Sequence, residues 1–328
     1  MRQDAKGNSV RVLENTKNTL LEARRMKKIA SRRMFLRTGA AATTGALLSS
    51  PSDLLRSALP QPGSSMKFGL VTYLWGQDWD LPTLIRNCAA SKVLGVELRS
   101  THAHKVEPSL NAAQRKEVRK RFADSPVTMV GIGSNERYDN PDPAVVAKAV
   151  EATKAFIKLS HDVGGSGVKV KPDRFHKGVE KEKTIEQIGK ALNQLGDFAD
   201  GWGQEIRLEV HGQCAQLPTI RKIMDVAQNK NVGVCWNSNN QDLEGKGIEH
   251  NFDLVKKRFG ATAHVRELQD KAYPYEKLME LFVRMDYSGW VMLEARGKPR
   301  DRVVALGQQL GLFNSMVAKA QKTIGKKG

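Results

Sequence analysis

Residues 206–212 read Ile-Arg-Leu-Glu-Val-His-Gly, and this short stretch decides the fold. In a strand, successive side chains point to opposite faces, so Leu208 and Val210 share one face. The other face then carries Arg207, Glu209 and His211. Ionisable groups are costly to bury unless the face that carries them lines a site. The stretch therefore predicts a buried strand whose polar face borders a functional cavity.

Seven other segments also predict strands, and each is followed by a helical pattern. The eight predicted strands cover 67–73, 95–99, 127–133, 167–171, 206–212, 231–237, 262–268 and 290–296. The predicted helices cover 80–93, 111–123, a long segment opened at 141–143, then 184–199, 217–226, 252–259, 275–285 and 301–320. This alternation predicts an α/β fold of the (β/α)8 class, a TIM barrel. A doubly wound open sheet is the alternative, but no Gly-x-Gly-x-x-Gly follows the first strand, so no nucleotide cofactor is expected.

The first 64 residues are more basic than the rest of the chain, and we interpret them as a targeting signal. Residues 31–37 read Ser-Arg-Arg-Met-Phe-Leu-Arg and resemble the twin-arginine export signal, with a run rich in Ala and Thr after them. The run is too short to span a bilayer, and a basic amphipathic helix over 14–28 is the alternative. We expect a signal peptide and linker at 1–64 with Arg32 and Arg33 at its centre, and the barrel at 65–328. The partner would be the twin-arginine export machinery and the location the periplasm.

Charge and cysteine content limit the classes of function. The net charge is +18, and residues 1–64 hold twelve Lys or Arg and four Asp or Glu, so +10 remains for the barrel. A basic barrel favours an anionic ligand without requiring a polynucleotide. The chain has an odd number of cysteines, and none of them are spaced as a pair: Cys88, Cys214 and Cys235. They therefore indicate neither a disulfide framework nor a thiolate metal site. We expect them to be small buried hydrophobic residues.

Catalytic groups of a TIM barrel lie at the C-terminal ends of its strands, and these ends are rich in polar residues here. In strand order they carry Thr72, Tyr73 and Trp75; Glu97 and Arg99, with His102 and His104 just after; Ser134, Asn135 and Glu136; Lys169 and Lys171; Arg207, Glu209 and His211; Trp236, Asn237 and Asn239; His264 and Arg266; Glu294 and Arg296. So many charges at one end predict a site and not a bare scaffold.

Four of these strand ends resemble a known superfamily. Leu-Glu-Val-His-Gly at 208–212, Val-Gly-Val-Cys-Trp-Asn at 232–237, His-Val-Arg at 264–266 and Leu-Glu-Ala at 293–295 are similar to the xylose isomerase-like barrels. These include sugar epimerases, sugar isomerases and endonuclease IV, and the chain resembles most the exported sugar phosphate isomerase/epimerase-like proteins. The resemblance implies an isomerase or epimerase that removes a proton next to a carbonyl of a small sugar or sugar acid.

The resemblance also implies roles for single residues. In the epimerase branch a Glu, an Asp, a His and a Glu on strands five to eight hold one divalent cation, and the two glutamates move the proton. Glu209 and Glu294 match the glutamates and would form the acid/base pair. Asn237 stands at the Asp and Arg266 at the His, whereas His264 stands at a position that usually holds no metal. A Mn, Mg, Zn or Co ion would then be bound by Glu209, Asn237 and Glu294. Asn237 lacks the negative charge of the Asp that it replaces, and Arg266 lacks the lone pair of the His that it replaces.

Clustered cations offer an alternative to the metal. They could stabilise an enediolate or hold a phosphate or carboxylate, and they are Lys169, Lys171, Arg207, Arg266 and Arg296. Some of them could instead form interior salt bridges with Glu97 or Glu267, in which case the innermost pairs would be structural. The predicted substrate-binding set adds His102, His104, His211 and Trp236, and Tyr73 and Trp75 could also stack on a sugar or pack in the core.

Three classes of function remain open on these residues. The first is a sugar isomerase or epimerase with Glu209 and Glu294 as its acid/base pair. The second is a metal-free sugar lyase, or a carbohydrate-binding barrel that has lost the chemistry. The third is a DNA-repair nuclease. The sequence lacks the many His and Asp ligands that the metal site of such a nuclease requires, so no nucleic acid partner is expected.

Overall fold

The computed structural model describes residues 61–325, in which eight strands alternate with eight α-helices. The strands are β1 (Lys67–Val71), β2 (Gly95–Arg99), β3 (Thr128–Arg137), β4 (Gly167–Lys171), β5 (Glu205–Glu209), β6 (Val232–Cys235), β7 (Thr262–Val265) and β8 (Trp290–Leu293). The helices are α1 (Leu81–Ser91), α2 (Ala112–Ala123), α3 (Pro143–Val163), α4 (Lys181–Asp200), α5 (Leu217–Val226), α6 (Gly247–Val255), α7 (Tyr275–Arg284) and α8 (Arg302–Gly325). The twin-arginine stretch lies outside the described residues.

The strands form one parallel sheet that is nearly closed into a barrel. Its order is β6-β5-β4-β3-β2-β1-β8-β7, with β1 paired to both β2 and β8. The two ends of this order, β6 and β7, meet through the bridges Val234–Phe259 and Asn237–His264. The predicted (β/α)8 barrel is therefore confirmed.

Local signals explain where several helices begin. Asp80 accepts a hydrogen bond from the Thr83 amide at the start of α1, and Asp142 does the same from the Ala144 amide at the start of α3. Asn111 and Gln114 form a reciprocal capping box on α2. These caps satisfy amides that have no partner inside the helix.

The alternation on β5 has the predicted sense. Leu208 and Val210 are fully buried in the apolar core, while Arg207 and Glu209 lie in the charged interior of the barrel. Long charged side chains fit there because glycine faces them: a Cβ at Gly131 would lie 2.7 Å from Nη1 of Arg207. The interior of the barrel therefore has room for charged side chains such as Arg207.

The cysteines behave as expected. Cys88, Cys214 and Cys235 are buried and free, and burial raises the pKa of Cys88 to about 12, which keeps its thiol protonated. Within residues 61–325, none of the helices has the length and apolarity needed to cross a membrane.

Candidate active site

The carboxyl ends of the strands surround a cavity of about 270 Å³. Its lining is polar and consists of Tyr73, Arg99, Lys171, His211, Gly212, Ala215, Asn237, Asn239, Gln241, Glu294 and Arg296. A larger groove of about 600 Å³ runs between α7 and α8, but none of the predicted site residues lines it. The cavity at the strand ends is therefore the candidate active site.

Glu294 and Arg99 form one wall of this cavity. The Arg99 guanidinium lies 3.5 Å from the Glu294 carboxylate, and its other Nη donates to Asn135 at 3.1 Å. It also lies over the Tyr73 ring, 5.4 Å from the centroid. Of the three aromatic residues considered for stacking on a sugar, only Tyr73 lines the cavity.

Lys171 reaches the cavity from β4. Its ammonium makes a single long hydrogen bond, 3.4 Å to the Asn135 side chain. Burial lowers the pKa of Lys171 to about 8, and the nearby Lys169 and Arg99 charges act in the same direction. At neutral pH the side chain is still mostly protonated, and it is a cation without a carboxylate partner among the described residues.

Glu209 lies one layer deeper and does not line the cavity. Its carboxylate is 2.8 Å from the Lys169 ammonium, and only 1% of its side chain is exposed. The contact has ion-pair distance but not hydrogen-bond alignment, since Oε2 lacks a hydrogen bond. Asn237, which lines the cavity, donates to the other oxygen at 2.9 Å and so covers it. Burial opposes ionisation, but Lys169 and His264 hold the pKa of Glu209 well below its usual value.

His264 joins two interior carboxylates. Its Nε2 lies 3.2 Å from Glu97 and its Nδ1 lies 3.5 Å from Glu209. Burial opposes protonation, yet Cys235, Glu97 and Glu209 together hold the pKa of His264 well above its usual value. The interior is therefore a compact network of ion pairs, and His264, which the strand-end pattern lists without assigning it a role, is a member of that network.

Arg207 lies near the bottom of the barrel and not at its mouth. Its Nε is 2.7 Å from Glu205, and an Nη donates to the Ser166 hydroxyl at 2.7 Å. It is fully buried and does not line the cavity. The expectation that the innermost pairs are structural fits this residue, although its partner is Glu205 and not Glu97 or Glu267.

His211 lines the cavity on the β5 side and is held by an acid. Its Nδ1 is 2.8 Å from Asp173, which also pairs with Arg137. Hydrogen bonding to His211, opposed by burial and aided by Arg137, lowers the pKa of Asp173. Gly212 has φ +68°, and a Cβ there would lie 2.2 Å from the Asp173 carbonyl oxygen. Glycine at this position therefore allows the turn that places His211 beside Asp173.

The two histidines after β2 have local roles. His104 is buried; its Nε2 lies 2.8 Å from the Arg99 carbonyl and its Nδ1 accepts from the Val106 amide. Burial lowers the pKa of His104 to about 4, so the ring is neutral. His102 lies 3.3 Å from the Thr72 hydroxyl. Neither ring lines the cavity, so both support the loop around Arg99.

Trp236 and Arg266, also predicted to bind substrate, point elsewhere. Trp236 is fully buried against Phe252 and Phe259 and lies 3.2 Å from the Tyr273 hydroxyl. Arg266 is half-buried outside the cavity lining. The predicted residues that do meet in the cavity are Lys171, His211, Asn237, Glu294 and Arg296. Strand alternation does not reveal the positioning contacts from Arg99 and Asp173, which depend on loop geometry.

Glu209, His264 and Glu294 each offer a ligand atom, and these atoms lie within 4.8 Å of one another. This is a candidate metal group in geometry, with His264 in place of the predicted Asn237. Its charge does not fit a resident divalent cation, because Lys169 already neutralises Glu209 and Arg99 already faces Glu294. A metal would also have to displace the proton that the neighbouring Glu97 and Glu209 favour on His264. An ion would have to displace two buried or nearly buried cations.

Comparisons with known proteins agree with this architecture. The family described as xylose isomerase-like TIM barrel has a model that matches residues 85–315. An L-ribulose 3-epimerase is 14% identical with a TM-score of 0.69, and the match covers 80% of this chain and 98% of the other. The 3-keto-D-glucoside 4-epimerase YcjR from E. coli is 14% identical with a TM-score of 0.65, and the match covers 76% of this chain and 99% of the other. An IOLI protein with a bound zinc atom is 16% identical with a TM-score of 0.66, and that match covers 78% of this chain and 99% of the other. At such identities these structures show the shared fold alone, and the sequence matches no curated protein.

Proposed function

This chain belongs to the xylose isomerase-like TIM barrel family, and on that premise we propose that it is a sugar isomerase or epimerase acting on a small carbohydrate. The structural neighbours include sugar epimerases, which supports an enzyme of this kind. The single observation that carries the proposal is the position of Glu294, a carboxylate at the end of β8 that lines a cavity together with cations and amides.

In the proposed reaction Glu294 removes a proton from a carbon next to the substrate carbonyl. The electrons of the C–H bond form the enediolate, whose negative charge falls on the former carbonyl oxygen. Return of the proton to the former carbonyl carbon gives an isomer, provided that the hydroxyl proton on the first carbon passes to the former carbonyl oxygen so that a new carbonyl forms there. Return of the proton to the opposite face of the first carbon restores the original carbonyl and gives an epimer. Isomerisation needs only one carboxylate in the cavity, whereas epimerisation needs a proton carrier on each face.

Glu209 is the second proton carrier of the proposed pair. Its carboxylate lies within 4.8 Å of that of Glu294, and Asn237 separates it from the cavity. Lys169 and His264 keep it ionised, but the same contacts make it a weak base, so its part in the reaction requires a substrate that displaces Asn237 and reaches it. The enediolate oxygen would be stabilised by Arg99, whose charge is fixed in place before the reaction.

The test is solvent exchange. The protein is incubated in D₂O with aldoses, ketoses and uronates, and loss of a C–H signal is followed by NMR. We expect Glu294→Gln to abolish exchange, a loss of about 10²–10⁴-fold. The control Glu186→Gln, an exposed carboxylate on α4 paired with Lys190, should exchange at the normal rate. Unchanged exchange in Glu294→Gln would contradict the proposal.

A non-catalytic carbohydrate-binding barrel is the second candidate. It is favoured by the burial of Glu209, which leaves one carboxylate exposed to a ligand. Such a protein would bind a sugar saturably and show no exchange with any member of the panel.

A further inference from the structure

The cavity holds more positive charge than the proposed reaction needs. Three cationic side chains line it, Arg99, Lys171 and Arg296, against one carboxylate, Glu294. The enediolate develops one negative charge, and only during the reaction. A neutral sugar would therefore leave uncompensated cations in the resting complex, which is costly in a partly desolvated site.

Lys171 is a nearly buried cation that forms no ion pair with the described carboxylates, although the charges of Glu209 and Asp173 attract it from farther away. It is 93% buried, since its exposure is 7%, and a buried ammonium is expensive unless an anion or several acceptors solvate it. Among residues 61–325 no carboxylate lies within 4.0 Å of its Nζ; the long contact with Asn135 is its one hydrogen bond. The Lys171 ammonium lines the cavity and therefore has room for an anionic partner there.

Arg99 and Arg296 point to the same conclusion. Arg99 is 91% buried, and its Nε is a buried donor without a hydrogen-bond partner. Arg296 lies at the exposed rim, where its backbone amide is fixed by Glu267 at 2.9 Å. None of the described carboxylates forms an ion pair with its guanidinium. The site thus combines two nearly buried cations with a third at the entrance.

Resting on the proposed function, we infer that the substrate is a sugar that carries a permanent anionic group, a carboxylate or a phosphate, held by Lys171 and Arg296, while Arg99 remains for the enediolate. Charge-assisted hydrogen bonds to carboxylate and phosphate oxygens are the strong interactions that these side chains make. One anionic group satisfies Lys171 and leaves positive charge for the developing enediolate. A cavity of about 270 Å³ suits a single sugar unit.

Calorimetric titration with three matched probes tests this inference: D-glucose, D-glucuronate and D-glucose 6-phosphate. We expect one of the two anions to bind at least about tenfold more tightly than glucose, and the better one identifies the anionic group. High salt should reduce the preference. Glucose binding as tightly as both anions, or no binding of any probe at millimolar concentration, would overturn the inference.

Variants separate the site from general charge effects. Lys171→Met should weaken binding of the anion by more than binding of glucose and so remove the preference, whereas Lys183→Met, which changes an exposed lysine of α4, should keep the preference. An unaltered preference in Lys171→Met overturns the inference. Glu294→Gln should keep anion binding while losing deuterium exchange. Anion binding without exchange in the parent protein would therefore contradict the proposed function alone, and exchange on neutral sugars without anion preference would contradict this inference alone.

Discussion

The Lys169 ammonium lies 2.8 Å from the Glu209 carboxylate inside the barrel, and neither side chain is more than 1% exposed. The resemblance to the sugar epimerases predicts a metal-binding glutamate at this position, but here a lysine of β4 neutralises it. Together with Arg99 beside Glu294, this ion pair gives each of the two glutamates a cationic side chain as its partner.

Metal binding should therefore appear when Lys169 is removed. Lys169→Met leaves Glu209 buried without its cation, which costs about 3–5 kcal/mol, and exposes the group Glu209, His264 and Glu294. We expect Mn²⁺ or Zn²⁺ to raise the unfolding midpoint of this variant in urea, and not that of the parent protein. Arg207→Met, which removes another buried cation from a different pair, is the control and should not respond. Tight stoichiometric metal in the purified parent would refute the expectation.

The two glutamates should differ in what their loss does to stability. Glu209→Gln leaves Lys169 buried and unpaired, so we expect its free energy of unfolding to fall by about 3–5 kcal/mol. Glu294 lines the cavity and its contact with Arg99 is longer, at 3.5 Å, so Glu294→Gln should lower the free energy of unfolding by less than Glu209→Gln does. Urea unfolding of both variants measures the difference. Equal losses would show that depth in the barrel does not distinguish them.

Gly212 should be required for the position of His211. In Gly212→Ala the new Cβ would lie 2.2 Å from the Asp173 carbonyl oxygen, and the alanine would also have to adopt a positive φ. We expect a loss of stability of about 1–3 kcal/mol and weaker ligand binding. Gly203→Ala is a matched control, since Gly203 has φ +60° with open space around it. It should carry the backbone cost without the loss of binding; equal binding losses in both variants would be against this role.

Asp242 should make stability depend on pH. It accepts hydrogen bonds from Tyr273 at 2.6 Å and the Asn239 amide at 2.9 Å, and burial raises its pKa to about 7. Between about pH 4 and 7 the folded protein holds a proton here that the unfolded chain has lost. Stability therefore falls as pH rises through this window, by about 1.4 kcal/mol for each unit of pKa difference.

Asp242→Asn removes that proton equilibrium. The fall in unfolding free energy between pH 4 and 7 should be smaller in the variant than in the parent, as measured by urea titrations at several pH values. Asp253→Asn, an exposed carboxylate paired with Lys256 on α6, should leave the parent profile unaltered. Identical profiles for the parent and Asp242→Asn would rule out Asp242 as the cause.

Export remains a prediction from residues 31–37. We expect Arg32→Lys with Arg33→Lys to retain the protein in the cytoplasm, since the signal depends on the arginine pair. Cell fractionation compares this variant with Arg24→Lys and Arg25→Lys, a second arginine pair outside the motif. Normal export of the Arg32 and Arg33 variant would contradict the interpretation.

The barrel, and the strand ends that form its mouth, could be predicted from local sequence patterns. Strand and helix periods are local, so residues 95–99 and 167–171 were predicted with the bounds that the structure has. The polar face of 206–212 was also evident, although the strand ends at Glu209 and the residues after it turn away. That turn depends on a positive φ at Gly212 and on Asp173 from another loop.

Only the tertiary structure decided which side chains meet a ligand. Alternation assigns a face but not a depth, so it cannot separate Glu294 in the cavity from Glu209 beneath Asn237. Barrel closure brings β7 beside β6 and places His264 next to Glu209, whereas Arg266 lies outside the cavity lining. Depth and pairing arise from residues distant in sequence, and for that reason the charge balance of the site could be read only from the folded chain.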